Sequence, residues 1–123
     1  MTNKTVLIAD DEADIVETFA CMLEAQEFTV ITANDGEAAL MKAKEERPDL
    51  ILLDVMMPKI NGYKVCRLLK FDKQYSNIPI LMLTARSQDE DRAIGEETGA
   101  DEYIKKPFDI EEVVEKVKEY LKV

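Results

Sequence analysis

Five short apolar runs alternate with five segments of helical period along the chain. The runs at 5–9, 28–32, 49–53, 80–84 and 102–105 read as strands. Those at 5–9, 49–53 and 80–84 are almost continuously apolar and carry β-branched residues, as expected of central strands covered by helices on both faces. Between the first two runs, Ile15, Val16, Phe19, Met22 and Leu23 recur at helical spacing, which predicts an amphipathic helix over 14–26. Asp35-Gly36 introduces a second helix over 37–46 that stops before Pro48, because a residue preceding proline avoids the helical region. Asn61-Gly62 starts a third, reaching about residue 70, and a weaker fourth over 87–98 is closed by Gly99 as a left-handed cap. Asp109 caps a fifth, with Ile110, Val113, Val114, Val117 and Leu121 on its apolar stripe.

One helix between each pair of strands calls for right-handed crossovers and a parallel sheet. The favoured arrangement is an α/β, flavodoxin-like, doubly wound five-stranded sheet of order 2-1-3-4-5 with five helices. That order seats the first and third strands side by side, so Asp10 and Asp11, after one, meet Asp54, after the other. Three carboxylates then share the edge where open α/β sheets bind ligands. Two unit charges about 4 Å apart repel by roughly 4 kcal/mol at an effective dielectric near 20, so the set raises its pKa values or takes a divalent cation. Thr84 ends the fourth strand, and Lys106 follows the fifth and precedes Pro107, at the same edge.

Composition narrows the function. The chain has 123 residues, one domain over 1–123 with a real core and little room for a second. Its 26 Asp and Glu against 16 Lys and Arg give a net charge of −10, which argues against direct nucleic-acid binding. Cys21 and Cys66 match no metal spacing or secreted disulfide framework, so a reducing, cytoplasmic setting is expected, with Cys21 the more exposed. No apolar stretch approaches the roughly 18 residues of a membrane span. The acidic 96–101 cluster and Glu111-Glu112 read as solvated faces, with Glu112 and Lys116 an i, i+4 pair.

The chemistry follows from the set. Asp54 can attack a phosphorus centre and form an acyl phosphate once the charge repelling the incoming dianion is neutralised. Mg2+ suits that role, as a hard ion preferring carboxylate and carbonyl oxygen. Lys106 offers a fixed positive charge, and the Thr84 hydroxyl a hydrogen bond, to phosphoryl oxygens.

Asp10-Asp11, Asp54-Val55-Met56-Met57-Pro58 with Asn61-Gly62, Thr84-Ala85, and Tyr103-Ile104-Lys105-Lys106-Pro107-Phe108 together resemble the receiver domains of two-component response regulators over essentially the whole chain. The resemblance implies that Asp54 is the phosphoacceptor, that Asp11 ligates Mg2+ directly and Asp10 through water, and that the Met56 carbonyl is a further ligand. It implies a switch in which Thr84 moves toward the phosphoryl group and Tyr103 turns inward, reshaping the face formed by the 87–98 helix, the fifth strand and the last helix. It also implies a cis Lys106–Pro107 peptide and control of signal lifetime by Met56 and Arg86. A sensor histidine kinase or histidine phosphotransfer domain would dock on Asp14, Ile15, Thr18 and Met22 and on the loop at Pro107, with Ile15 and Met22 equally readable as core. Output would pass to a downstream effector protein, from a monomer or a phosphorylation-dependent dimer.

Three other functions compete. A flavodoxin-like cofactor binder needs a first loop that receives phosphate, whereas Asp10-Asp11-Glu12-Ala13-Asp14 repels anions, and neither G-x-G-x-x-G nor a P-loop is present. An aspartyl-nucleophile phosphatase needs a second acid two residues after the nucleophile, where Met56 stands. A degenerate receiver serving only for docking or dimerisation is disfavoured by five intact chemical positions.

Overall fold

In the computed structural model, which describes residues 3–85 and 98–123, five parallel strands form one sheet of order β2-β1-β3-β4-β5. They are β1 (Thr5–Ala9), β2 (Thr29–Ala33), β3 (Leu50–Asp54), β4 (Ile80–Thr84) and β5 (Glu102–Lys105). Four helices stand among the described residues: α1 (Ala13–Ala25), α2 (Gly36–Glu46), α3 (Gly62–Lys70) and the C-terminal α4 (Ile110–Leu121). The expected 87–98 helix falls outside the described residues but for its last position, Thr98.

The pleat divides the central strands between two cores. Leu7, Ala9, Ile51, Leu53, Ile80 and Met82 face α2 and α3, meeting Ala39, Ala43, Val65, Cys66 and Leu69. Val6, Ile8, Leu50, Leu52, Leu81 and Leu83 face α1 and α4, meeting Phe19, Leu23, Val113, Val114 and Val117. Each large side chain buried this way contributes about 1.5–3 kcal/mol, and a one-residue slip of any central strand would exchange its two faces. Register is therefore firmly set, and with it the height at which each strand delivers its last residue.

Local signals place the helix ends. The Asp35 and Asn61 side chains accept from the N–H groups of Ala38 and Lys64, and Asp109 accepts from that of Glu111. Arg47 takes a left-handed φ of 45° and bonds to the Ala43 carbonyl, ending α2 just before Pro48. Gly99 adopts a φ of +77°, the left-handed conformation expected of it. One surface pair differs from expectation: Lys116 reaches across to Glu102 of β5 at 2.8 Å instead of pairing with Glu112 along its own helix. An acceptor held on a strand restrains the lysine better than a neighbour on an exposed helix face. No helix among the described residues is long and apolar enough to cross a membrane.

Candidate functional site

β1 and β3 pair directly, Ala9 opposite Leu53, so their carboxyl ends emerge together. Asp10 continues the ladder through its N–H to the Ala33 carbonyl at 3.1 Å, and Val55 does so through its N–H to Leu83. These bonds fix the backbone on either side of the carboxylates. One oxygen each from Asp10, Asp11 and Asp54 lies within 4.8 Å of the others. Asp10 and Asp54 are buried, at 1% and 2% exposure, and Asp11 is exposed. The sheet has thus placed two charges where water cannot screen them.

The cost shows in Asp10. Burial, partly opposed by the Glu12 N–H donating to Oδ1 at 2.9 Å and aided by the charge of Asp54, pushes its pKa up to about 6. Its other oxygen, Oδ2, is buried with no hydrogen-bond partner among the described residues. Lys106 answers Asp54, its Nζ donating to Oδ1 at 2.8 Å. Burial draws that ammonium's pKa down, but the bond and charge of Asp54, followed by Asp10 and Glu12, outweigh it and hold the pKa above the ordinary value. The Lys106 N–H also donates to the Thr84 carbonyl at 2.6 Å, which brings the end of β4 to the site, and the Lys106–Pro107 peptide is cis as expected.

Two glycines let the surrounding loops close. A Cβ on Gly62 would lie 2.3 Å from the Asp54 carbonyl oxygen, so only glycine allows α3 to start against β3, where its N–H donates to Val55. A Cβ on Gly36 would lie 1.7 Å from the Ile60 carbonyl oxygen, and the Gly36 N–H holds Pro58. The 55–61 loop is thereby pinned beside Asp54, with the Met56 side chain projecting into solvent at 75% exposure.

The donor set fits a hard divalent cation. Oxygens around Mg2+ at about 2.0–2.1 Å stand roughly 3–4 Å apart, close to the spacing of this trio. The partnerless Asp10 Oδ2 is the kind of atom such an ion satisfies, and the excess of negative charge, three carboxylates against Lys106, supplies the attraction.

Asp10, Asp11, Asp54, Lys106 and the end of β4 at Thr84 thus come together. Tyr103 stands apart: its Cα is level with Met82, its ring packs against the α2–α3 core, and its hydroxyl lies 2.7 Å from Thr98 Oγ1. Arg86 lies outside the described residues. On α1, Asp14 and Thr18 are exposed, with the Thr18 hydroxyl donating to the Asp14 carbonyl, while Ile15 and Met22 are half-buried against the α1–α4 core. Pro107 is exposed beside Phe108, whose ring centroid stands 5.6 Å from that of Phe19. Sequence reasoning missed Thr98, whose only signal was a hydroxyl just before a capping glycine. It also missed the Glu12 N–H as the group that orients Asp10, a backbone role that side-chain identity does not signal.

Comparison with known proteins agrees with this geometry. Residues 6–118 match the family model described as the response regulator receiver domain. The chain is similar to the alkaline phosphatase synthesis transcriptional regulatory protein PhoP of Bacillus subtilis, at 49% identity over 98% of this chain and 49% of that protein. It is similar to the DNA-binding response regulator MtrA of Mycobacterium tuberculosis, at 43% identity over 95% of this chain and 50% of that protein. The chain spans about half the length of the curated relatives it matches. Among solved structures, the chemotaxis response regulator CheY4 of Vibrio cholerae superposes with a TM-score of 0.88 at 34% identity, covering 97% of this chain and 99% of that one. DrrB of Thermotoga maritima, an OmpR/PhoB homologue, gives 0.87 at 33% identity, covering 98% and 53%. With residues 6–118 matched by the family model and the same fold shared with these solved structures, the chain belongs to the receiver domains of two-component response regulators.

Proposed function

We propose that this chain is a phosphorylation-driven switch that accepts a phosphoryl group on Asp54 from the phosphohistidine of a sensor kinase or phosphotransfer domain. The observation that carries the reading is the meeting of Asp10, Asp11 and Asp54 with Lys106 bonded to the last. An Asp54 carboxylate oxygen forms a bond to phosphorus as the phosphorus–nitrogen bond of the donor breaks, and the departing imidazole keeps the electron pair and takes up a proton. Asp10, Asp11 and Asp54, with the Met56 carbonyl, would hold Mg2+, which when bound neutralises charge on the phosphoryl oxygens. Lys106 already lies against Asp54 and exchanges that contact for a phosphoryl oxygen, while the Thr84 hydroxyl donates to another.

The new group adds a charge of about −1.5 to −2, and its contacts to Lys106 and Thr84 shift a two-state equilibrium. Tyr103 follows Thr84, and the surface of the 87–98 segment, β5 and α4 carries the signal. Met56 and Arg86 tune the lifetime of the acyl phosphate. Asp14, Ile15, Thr18, Met22 and Pro107 form the docking face for the donor. A cytoplasmic, soluble protein suits these partners. The acidic surface of this chain does not suit nucleic acid, and any output on DNA, of the kind MtrA's name records, would come from a further unit coupled to the receiver.

Acetyl phosphate with Mg2+, followed by intact mass, tests the reading. One phosphoryl group should be gained per chain, lost in Asp54→Asn and absent with EDTA. Unchanged mass in the wild type would refute it, and multiple turnover of small phosphoesters would favour a phosphatase.

A further inference from the structure

Tyr103 does not end in open solvent: its hydroxyl lies 2.7 Å from Oγ1 of Thr98, a side chain only 3% exposed. Thr98 is in turn held from several sides. Its carbonyl accepts from the Cys66 thiol of α3 at 3.6 Å, and its hydroxyl also receives the Ala100 N–H at 3.4 Å. Beyond it, Gly99 turns with a φ of +77° close against Lys70. Lys70 Nζ donates to the Ile78 carbonyl and to Asp101, whose carboxylate also accepts the Ile80 N–H. Thr98 is therefore a fixed post, tied to α3 and to the start of β4.

We propose that Thr98 is a positioning residue for the switch: its hydroxyl latches the Tyr103 phenol in the arrangement described above, and the latch must open before the ring can turn. This rests on the reading of Tyr103 as a switch residue. A half-buried hydroxyl–hydroxyl bond that exists in only one of two states biases the equilibrium toward that state. Thr98 thereby sets how readily the phosphoryl group activates this chain, while touching neither the phosphoryl group nor the metal ligands.

The test uses beryllofluoride with Mg2+ as the phosphoryl mimic, read by NMR of ring-labelled tyrosine. The chain has four tyrosines, and Tyr103→Phe assigns the resonance of Tyr103 by its loss. Thr98→Val removes the hydroxyl at constant shape and should tighten apparent beryllofluoride affinity by about 2- to 10-fold, the factor expected for one net hydrogen bond. It should also move the Tyr103 resonance toward its beryllofluoride-bound position before any mimic is added. Thr98→Ser, which keeps the hydroxyl, should return both readouts to wild type. Tyr103→Phe should tighten affinity similarly, and Thr98→Val should add nothing in that background. The latch is overturned if Thr98→Val leaves affinity unchanged, or acts equally with and without the Tyr103 hydroxyl. If instead the Tyr103 resonance of the wild type does not respond to beryllofluoride at all, the switch reading itself fails.

Discussion

Replacing Asp10 by asparagine should make the metal-free protein more stable. The carboxyl titrates at about 6 in the folded chain against an ordinary 3.8, because burial outweighs the help of the Glu12 N–H. A raised carboxylate pKa means that the folded state binds the proton more tightly than the unfolded state. Above pH 7 both states are ionised, and the buried charge costs the native fold about 3 kcal/mol, two pKa units at 1.36 kcal/mol each. As pH falls through 6 toward 4, the folded state takes its proton first and that cost disappears. Asparagine keeps an acceptor for the Glu12 N–H and places an amide where Oδ2 now has no partner, facing two carboxylates. Allowing for imperfect placement of the amide, the variant should gain about 1–3 kcal/mol at pH 7.5, or about 4–12 °C in Tm for a domain of this size. Urea unfolding in EDTA, followed by far-ultraviolet circular dichroism because the chain has no tryptophan, measures it at pH 7.5 and 4.5. The gain should be largely lost at pH 4.5. A variant no more stable than wild type at pH 7.5, or equally stabilised at both pH values, would refute the electrostatic account.

Two further outcomes follow from the same geometry. Lys106→Met strands the buried Asp54 carboxylate without its cation and should cost about 1–3 kcal/mol in EDTA, part of it restored by Mg2+; no loss in the urea midpoint would contradict the pairing. Burial pushes the Cys66 thiol up to about 12, against the pull of its bond to Thr98, whereas Cys21 is exposed; an aromatic disulfide reagent at pH 8 should therefore modify one thiol quickly and the second only on unfolding, and equal rates would show the core to be open.

Much of this architecture could be read from pattern alone, and the departures have local causes. The ranges expected for β1 and β4 match the ladders, because apolar runs buried on both faces leave little choice of register, and the half-buried edge strand β5 also keeps its expected range. β2 and β3 each begin one residue later than expected. Phe28 is apolar and buried, which mimics a strand position, yet its N–H closes the end of α1 on the Leu23 carbonyl, and pairing begins at Thr29. Asp49 is drawn to the strand by its N–H to Thr5, but its carboxylate accepts the Thr5 N–H and caps the ladder.

At the site, Asp10, Asp11 and Asp54 were legible because strand order alone brings their backbones together. The bond of Lys106 to Asp54 was not, because the expected partner of that lysine was the phosphoryl group, whereas its ammonium lies against the buried Asp54 carboxylate itself. The Thr98–Tyr103 contact was beyond reach as well. It depends on how a turn folds back against α3, and no periodicity reports that.

The central claim is that three crowded carboxylates form a cation site which lets one of them accept a phosphoryl group. Calorimetric titration with Mg2+ at pH 7.5 tests it most directly. One ion should bind per wild-type chain, with binding abolished or strongly weakened in Asp10→Asn, Asp11→Asn and Asp54→Asn alike. Absence of binding to the wild type, or binding that survives loss of all three carboxylates, would contradict it.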